Sequence, residues 1–369
     1  MWPVADVAQG GGAATHNSGA SSAGPGPNAV RPYASNPRCG KCVYNECVSL
    51  EAQGTLLPHW QRTGCACRDA PRVSLLTLLL AALLAGPAAA TDTPQNPNAA
   101  DRKDLVSAVK RLERKLGFRR TKNFNKESPE AAVAYRCYYT GKLELPDSYE
   151  KLQLVAGTKA GCPLDTQQFD VFFYPLDANA SGKTPVSATL AHESMERFLV
   201  VVPHEDFHAN KALRKLPAAW GEASSTLIGF LTAAEVARQQ FGEKSGVYQN
   251  LQREPELFAQ KAEIVNRYHA QLSQLYAAAR AGQVSERVAL EQKQQVFGDL
   301  LRACTAITPA PKSFNRCLAA NNNAGLAFDE TYTKYYPMMY QLYLAEGKEL
   351  KPTLDAIDRA LGKALASKE

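Results

Sequence analysis

The chain has 369 residues, 45% of them hydrophobic, and its 42 Lys and Arg against 36 Asp and Glu give a formal charge of +6. That length suits one large domain or two smaller ones, and the hydrophobic share is ordinary for a globular protein. So mild a charge argues against a dedicated nucleic-acid binder, which needs a concentrated basic face.

Residues 1–36 are rich in Gly, Ala, Ser, Pro and Asn and offer few large apolar groups to bury, a composition that reads as disordered. Cys39, Cys42, Cys47, Cys65 and Cys67 follow. The CGKC pair has the spacing of half a zinc ribbon, but CAC is a poor second half, so no metal knuckle is assigned. In RVSLLTLLLAALLAGPAAATD, Arg72 precedes an apolar core from Leu75 to Ala85, and small residues at 88–90 precede Thr91. This is the layout of a secretory signal peptide, and its core is too short to span a bilayer comfortably.

Residues 1–72 are therefore read as disordered or not translated in the native protein, 73–90 as a signal peptide and 91–369 as the folded domain. Translation is expected to start near residue 73 at a non-AUG codon, since no Met lies between Met1 and Met195. The expected location is periplasmic or secreted, with no stable membrane span. A chain starting near Thr91 keeps Cys137, Cys162, Cys304 and Cys317. An even number in an exported protein suggests disulfides. Sequence proximity favours Cys137–Cys162 and Cys304–Cys317, although other pairings and buried free thiols stay open.

The apolar spacing in DLVSAVKRLERKLGF predicts a helix over 104–118. The basic run at 110–126 reads as a solvated helix face followed by a loop, with contact to an anionic membrane surface as the alternative. From QFDVFFYPL (168–176) through RFLVVVP (197–203), β-branched and aromatic residues predict two or three strands around a turn at Asn179–Lys183. Pro203 ends the last of these and suits the first turn of a helix opening at about His204. After the KLP break at 215–217, a helix is expected from Ala218 to Phe241. Helices at 247–280 and 284–305, joined by AGQ, should pack as a hairpin, with a helical C-terminus beyond Pro309 and Pro311.

The chemistry is concentrated in VVPHEDFHAN, residues 201–210. On a helix, His204 and His208 project side by side, and Glu205 sits about 100° round from His204. Two histidines so placed can grip one ion, and a hydrolytic zinc site adds a third protein ligand and keeps an open position. Glu222 follows His208 after thirteen intervening residues, enough for a turn and an antiparallel helix to bring it back beside the pair. Zinc held by His204, His208 and Glu222 would activate a water, with Glu205 as the general base. Ser225 and Thr226, one turn beyond Glu222, are candidates for hydrogen bonds to a ligand. His192 and His269 have no such partners.

The chain resembles the bacterial zinc aminopeptidases of the gluzincin type. HEDFH and WGEASS carry the match, with QLSQLYAAARAGQVSERVALEQKQQVFGDL and NNNAGLAFDETYTKYYPMMYQL, together about residues 198–361. The resemblance implies a mainly α fold with a small β-sheet (α+β): a gluzincin-like metallopeptidase core with a long helical hairpin, over 91–369. It implies an exported, zinc-dependent (Zn2+) enzyme acting on peptides. It also places Tyr332, on the family's Thr-Tyr, as a donor to the transition state, with Tyr335 and Tyr336 as rivals. Asp206 and Phe207 depart from the family, which has small apolar residues there.

An aminopeptidase needs an anion for the substrate's amine. Glu193 and Glu196 are the nearest candidates in sequence, although two charges on a solvent-exposed turn are the simpler account. Without such a group the site would be that of an endopeptidase or another amide hydrolase. The alternative is a non-catalytic exported helical protein with a structural or vestigial metal site. Glu205 argues against it, because a structural site has no use for a base. The oligomeric state is left open.

Overall fold

A computed structural model describes residues 101–367. The disorder expected of residues 1–72, the five cysteines there and the signal peptide at 73–90 lie outside the described residues. The fold is mainly helical with one small antiparallel sheet, as expected. No helix among the described residues is long and apolar enough to cross a membrane.

Helix α1, Arg102–Leu116, starts at Asp101, whose carboxylate accepts from the Lys103 amide, and stops at Gly117 with φ +89°. Asp at the cap satisfies an otherwise orphaned amide, and glycine takes the left-handed turn without strain. Leu105, Val109 and Leu112 recur at helical spacing and are buried, while Arg111, Arg114 and Lys115 stay exposed.

Three strands form the sheet: β1 Ala134–Gly141, β2 Gln153–Ala156 and β3 Phe169–Leu176, in the order β2-β1-β3. The disulfide Cys137–Cys162 ties the central strand to the loop before β3. Along β3 burial alternates, so that Phe172, Tyr174 and Leu176 all face the core. Cys304 and Cys317 are thiols, against the second expected disulfide. Their side chains hydrogen-bond to each other, so proximity holds but covalent linkage does not.

After a short helix α2, Ala188–His192, the chain enters α3, Met195–Phe207, capped by the Ser194 hydroxyl. This corrects the expectation of strands up to Pro203. RFLVVVP is helical, β3 is the one strand between 168 and 203, and the other two lie upstream. The cause is burial on every side: all thirteen residues of α3 are buried. A helix without a solvent face has no amphipathic period to read, and packing outweighs the weak helix preference of valine. Pro203 sits inside the helix rather than at its start, and its missing amide leaves the Leu199 carbonyl without an i+4 donor. The motif therefore lies in the last turn of a buried helix, with His208 as its C-cap.

Helix α4, Ala218–Phe241, has the expected bounds and packs against α3. Gly229 permits their close approach, since a methyl there would lie 3.1 Å from the Val200 carbonyl oxygen and 3.3 Å from His204 Cβ. The hairpin also forms, as α5 Gly246–Arg280 and α6 Glu286–Thr305. Each begins at a serine whose hydroxyl accepts from an amide three residues on. Helices α7 Asn323–Thr333, α8 Tyr336–Ala345 and α9 Leu350–Ala366 complete the chain. Helix α7 is wholly buried and sets Phe328 against Phe172 and Tyr174 of the sheet, with ring centres 4.9 Å away from each.

Candidate metal centre

The last turn of α3 and the first turns of α4 bring His204, His208 and Glu222 together. The two Nε2 atoms are 3.3 Å apart, and Glu222 Oε2 lies 3.2 Å from His204 Nε2 and 3.3 Å from His208 Nε2. A tetrahedral ion with bonds of about 2.0–2.1 Å separates its ligand atoms by about 3.3–3.4 Å. All three distances match that edge within a tenth of an ångström or so. The group could therefore hold a metal ion. Gly221 lies beside the His208 ring, where a methyl would make only ordinary contact at 3.5 Å, so the fit does not depend on glycine there.

Burial pushes the His204 imidazole down to about 3, against the opposing pull of Glu222. His204 is thus neutral near pH 7, with a lone pair for a ligand role. Burial alone would raise Glu222, but the His208 and His204 imidazoles help to hold it well below the usual carboxylate range. It is an anion in the fold. Two imidazole nitrogens and one carboxylate form the donor set of hydrolytic zinc sites.

Glu205 is 1% exposed, and burial raises its carboxyl above the ordinary range. Tyr332 comes from α7, its ring 6.3 Å from that of His204 and nearly parallel to it. Its hydroxyl is pushed well above the usual phenol range, first by burial and then by Glu222. The structure therefore gathers His204, Glu205, His208, Glu222 and Tyr332 in one place. The rivals of Tyr332 have other tasks. Tyr336 donates to the Pro255 carbonyl at 3.1 Å in the core, and Tyr335 stacks on Trp220 with centres 4.5 Å apart.

Two candidate roles in the surroundings are not filled. Glu196 stands two turns, about 12 Å, before His204 along α3, and its carboxylate accepts from Asn250 at 2.7 Å. Glu193, farther back still, faces the Arg197 guanidinium at 3.6 Å. Neither is placed to hold a substrate amine at the metal. The Ser225 and Thr226 hydroxyls are buried and make no hydrogen bond to a ligand.

A hydroxyl that reaches the ligand group comes from Tyr149, in the 3-10 turn Tyr149–Lys151 between β1 and β2, which donates to Glu222 Oε1 at 2.9 Å. Nothing in the spacing of the sequence points to it, since 73 positions separate the two residues.

The two unusual motif residues anchor the helix. Asp206, 1% exposed, pairs with Lys110 of α1, accepts from Thr121, and accepts from Asn123 at 2.9 Å. Phe207 packs on Phe118, ring centres 5.3 Å apart. Small apolar residues there would leave α1 and the following loop without these ties. Compared with family models, curated proteins and solved structures, the chain matches none.

Proposed function

We propose that the chain is a zinc-dependent metallopeptidase, exported and trimming peptide N-termini. The observation that carries the reading is the trio of ligand atoms, spaced 3.2–3.3 Å apart as tetrahedral coordination requires, with the Glu205 carboxyl buried one residue from a ligand. His204, His208 and Glu222 would hold the ion. Zinc, when bound, supplies Lewis acidity and makes water a usable nucleophile near neutral pH.

The remaining work falls to the chain's own groups. Glu205 takes a proton from the attacking water and returns it to the departing amine, a role suited by a carboxyl whose proton affinity burial raises. Tyr332 donates its hydroxyl hydrogen to the oxygen that gathers charge as the carbonyl becomes tetrahedral. Action at N-termini and export rest on the resemblance over 198–361 and on the leader-like segment at 73–90.

Metal analysis with a peptide screen tests this. Wild type is expected to carry one zinc and cleave aminoacyl substrates faster than N-blocked peptides. His208→Ala should lose the zinc, whereas Glu205→Gln should keep it and lose hydrolysis. Equal zinc in wild type and His208→Ala would defeat the site. Preference for blocked peptides would move the enzyme to the endopeptidases.

A further inference from the structure

We infer that Tyr149 is a positioning residue that fixes which oxygen of Glu222 faces the metal, an inference that rests on the metal reading above. The terminal torsion of a glutamate is broad and roughly two-fold, so its two oxygens exchange readily unless one is held. In the fold one is held. Tyr149 donates to Oε1 at 2.9 Å, and this leaves Oε2 against the imidazoles at 3.2 and 3.3 Å.

Tyr149 is itself fixed from two sides. Its amide donates to Thr331 Oγ1 of α7 at 2.8 Å, and its ring packs against Tyr138 and Phe328, with centres 6.2 and 5.6 Å away. The hydroxyl is therefore delivered by the sheet and α7, not by the two helices that carry the ligands. Thr331 is also the residue before Tyr332, so one short segment of α7 supports both tyrosines. The same hydrogen bond would keep Glu222 to a single coordinating oxygen, leaving room for water and substrate. Partners of this kind are worth 10–100-fold in metal affinity.

The test is zinc affinity by chelator competition on the full chain, with cobalt-substituted protein as a spectroscopic check. Tyr149→Phe keeps the ring and deletes the donor. It should weaken zinc 10–100-fold and shift the cobalt d–d bands, while the metal-free melting temperature stays within a few degrees of wild type. Affinity within twofold of wild type, with unshifted bands, overturns the role of Tyr149 and leaves the metal site intact. Failure of wild type itself to bind zinc overturns the metal reading, and the inference falls with it.

Should Tyr149→Phe fail to fold, Thr331 decides. Thr331→Val removes the acceptor that holds the Tyr149 amide and should weaken zinc in the same direction, whereas Thr331→Ser keeps that oxygen and should bind like wild type. Equal affinity in Val and Ser variants counts against the inference.

Discussion

Two tyrosine hydroxyls converge on the cluster from different elements, and their removal should have separable effects. Tyr149 touches a ligand, so its loss is expected in metal affinity. Tyr332 faces the reacting carbonyl in the proposed mechanism, so Tyr332→Phe should lower kcat and kcat/KM together by roughly 10²–10³ with zinc content unchanged. Near-normal kcat in that variant would remove Tyr332 from the mechanism.

Glu113, 5% exposed behind the Asp206 anchor, supplies a test by pH. Burial, helped by Asp206, pushes its carboxyl up to about 9 from an ordinary value near 4.5. Between those values the folded state holds a proton that the unfolded chain has released, so this group's contribution to stability falls as pH rises. Glu113→Gln, neutral at every pH, should melt like wild type near pH 4.5 and increasingly above it towards pH 9. Parallel melting curves across that range would show that Glu113 is not held protonated. The three motif residues His204, Glu205 and His208 were legible because local helical spacing sets their geometry, and Glu222 because the thirteen residues between it and His208 allow the next helix to return. Tyr149 was not, because only tertiary folding brings the β1–β2 connection to α4.

At the scale of elements, the site depends on how closely α3 and α4 approach. Glu222 and Gly229 are seven residues apart on α4 and share a face, so the contact at Gly229 sets the reach of Glu222 towards the histidines. Gly229→Ala would press a methyl onto a backbone carbonyl and His204 Cβ. It should cost about 1–3 kcal/mol of stability and weaken zinc as well. Gly221→Ala meets only ordinary contact and should raise stability by up to about 1 kcal/mol without changing zinc affinity. Chelator titration and thermal melts of the two variants check both outcomes, and intact zinc affinity in Gly229→Ala would refute the spacing argument.

These helices also show where the sequence could be read. Helix α4 was framed by Pro217 and Gly242, and α5 and α6 by serine caps and a short AGQ turn, so their bounds were visible. Helix α3 was not, since valines buried on all sides look alike in a strand and in a central helix. Strand β1, with AYRCYYTG, lacked clear alternation between apolar and polar residues, and only pairing on both edges makes it the middle of the sheet.

At the scale of the whole molecule, the Cys137–Cys162 bridge ties the described residues covalently, and in the proposed reading an ion would add a second tie between α3 and α4. Cys137 and Cys162 are 25 positions apart, and closing a loop of that size restricts the unfolded chain by roughly 3 kcal/mol. Reductant should therefore lower the melting temperature of wild type and leave a Cys137→Ser/Cys162→Ser variant unmoved; no shift in wild type would mean the bridge contributes nothing. Alkylation in denaturant without reductant should label Cys304 and Cys317 but not this pair. Chelation should act separately, because an ion that binds only the folded state stabilises it by mass action.

The burial of α3 has a kinetic consequence. With every residue from Met195 to Phe207 enclosed, its hydrogen-bonded amides have no small fluctuation through which to meet solvent, and they should exchange deuterium only when the domain opens as a whole. His204, and His208 just past its end, ride on that slowest-exchanging segment. Escape of zinc and loss of amide protection in α3 should then follow one time course. An ion that departs while those amides stay protected would show that α4 can swing away alone.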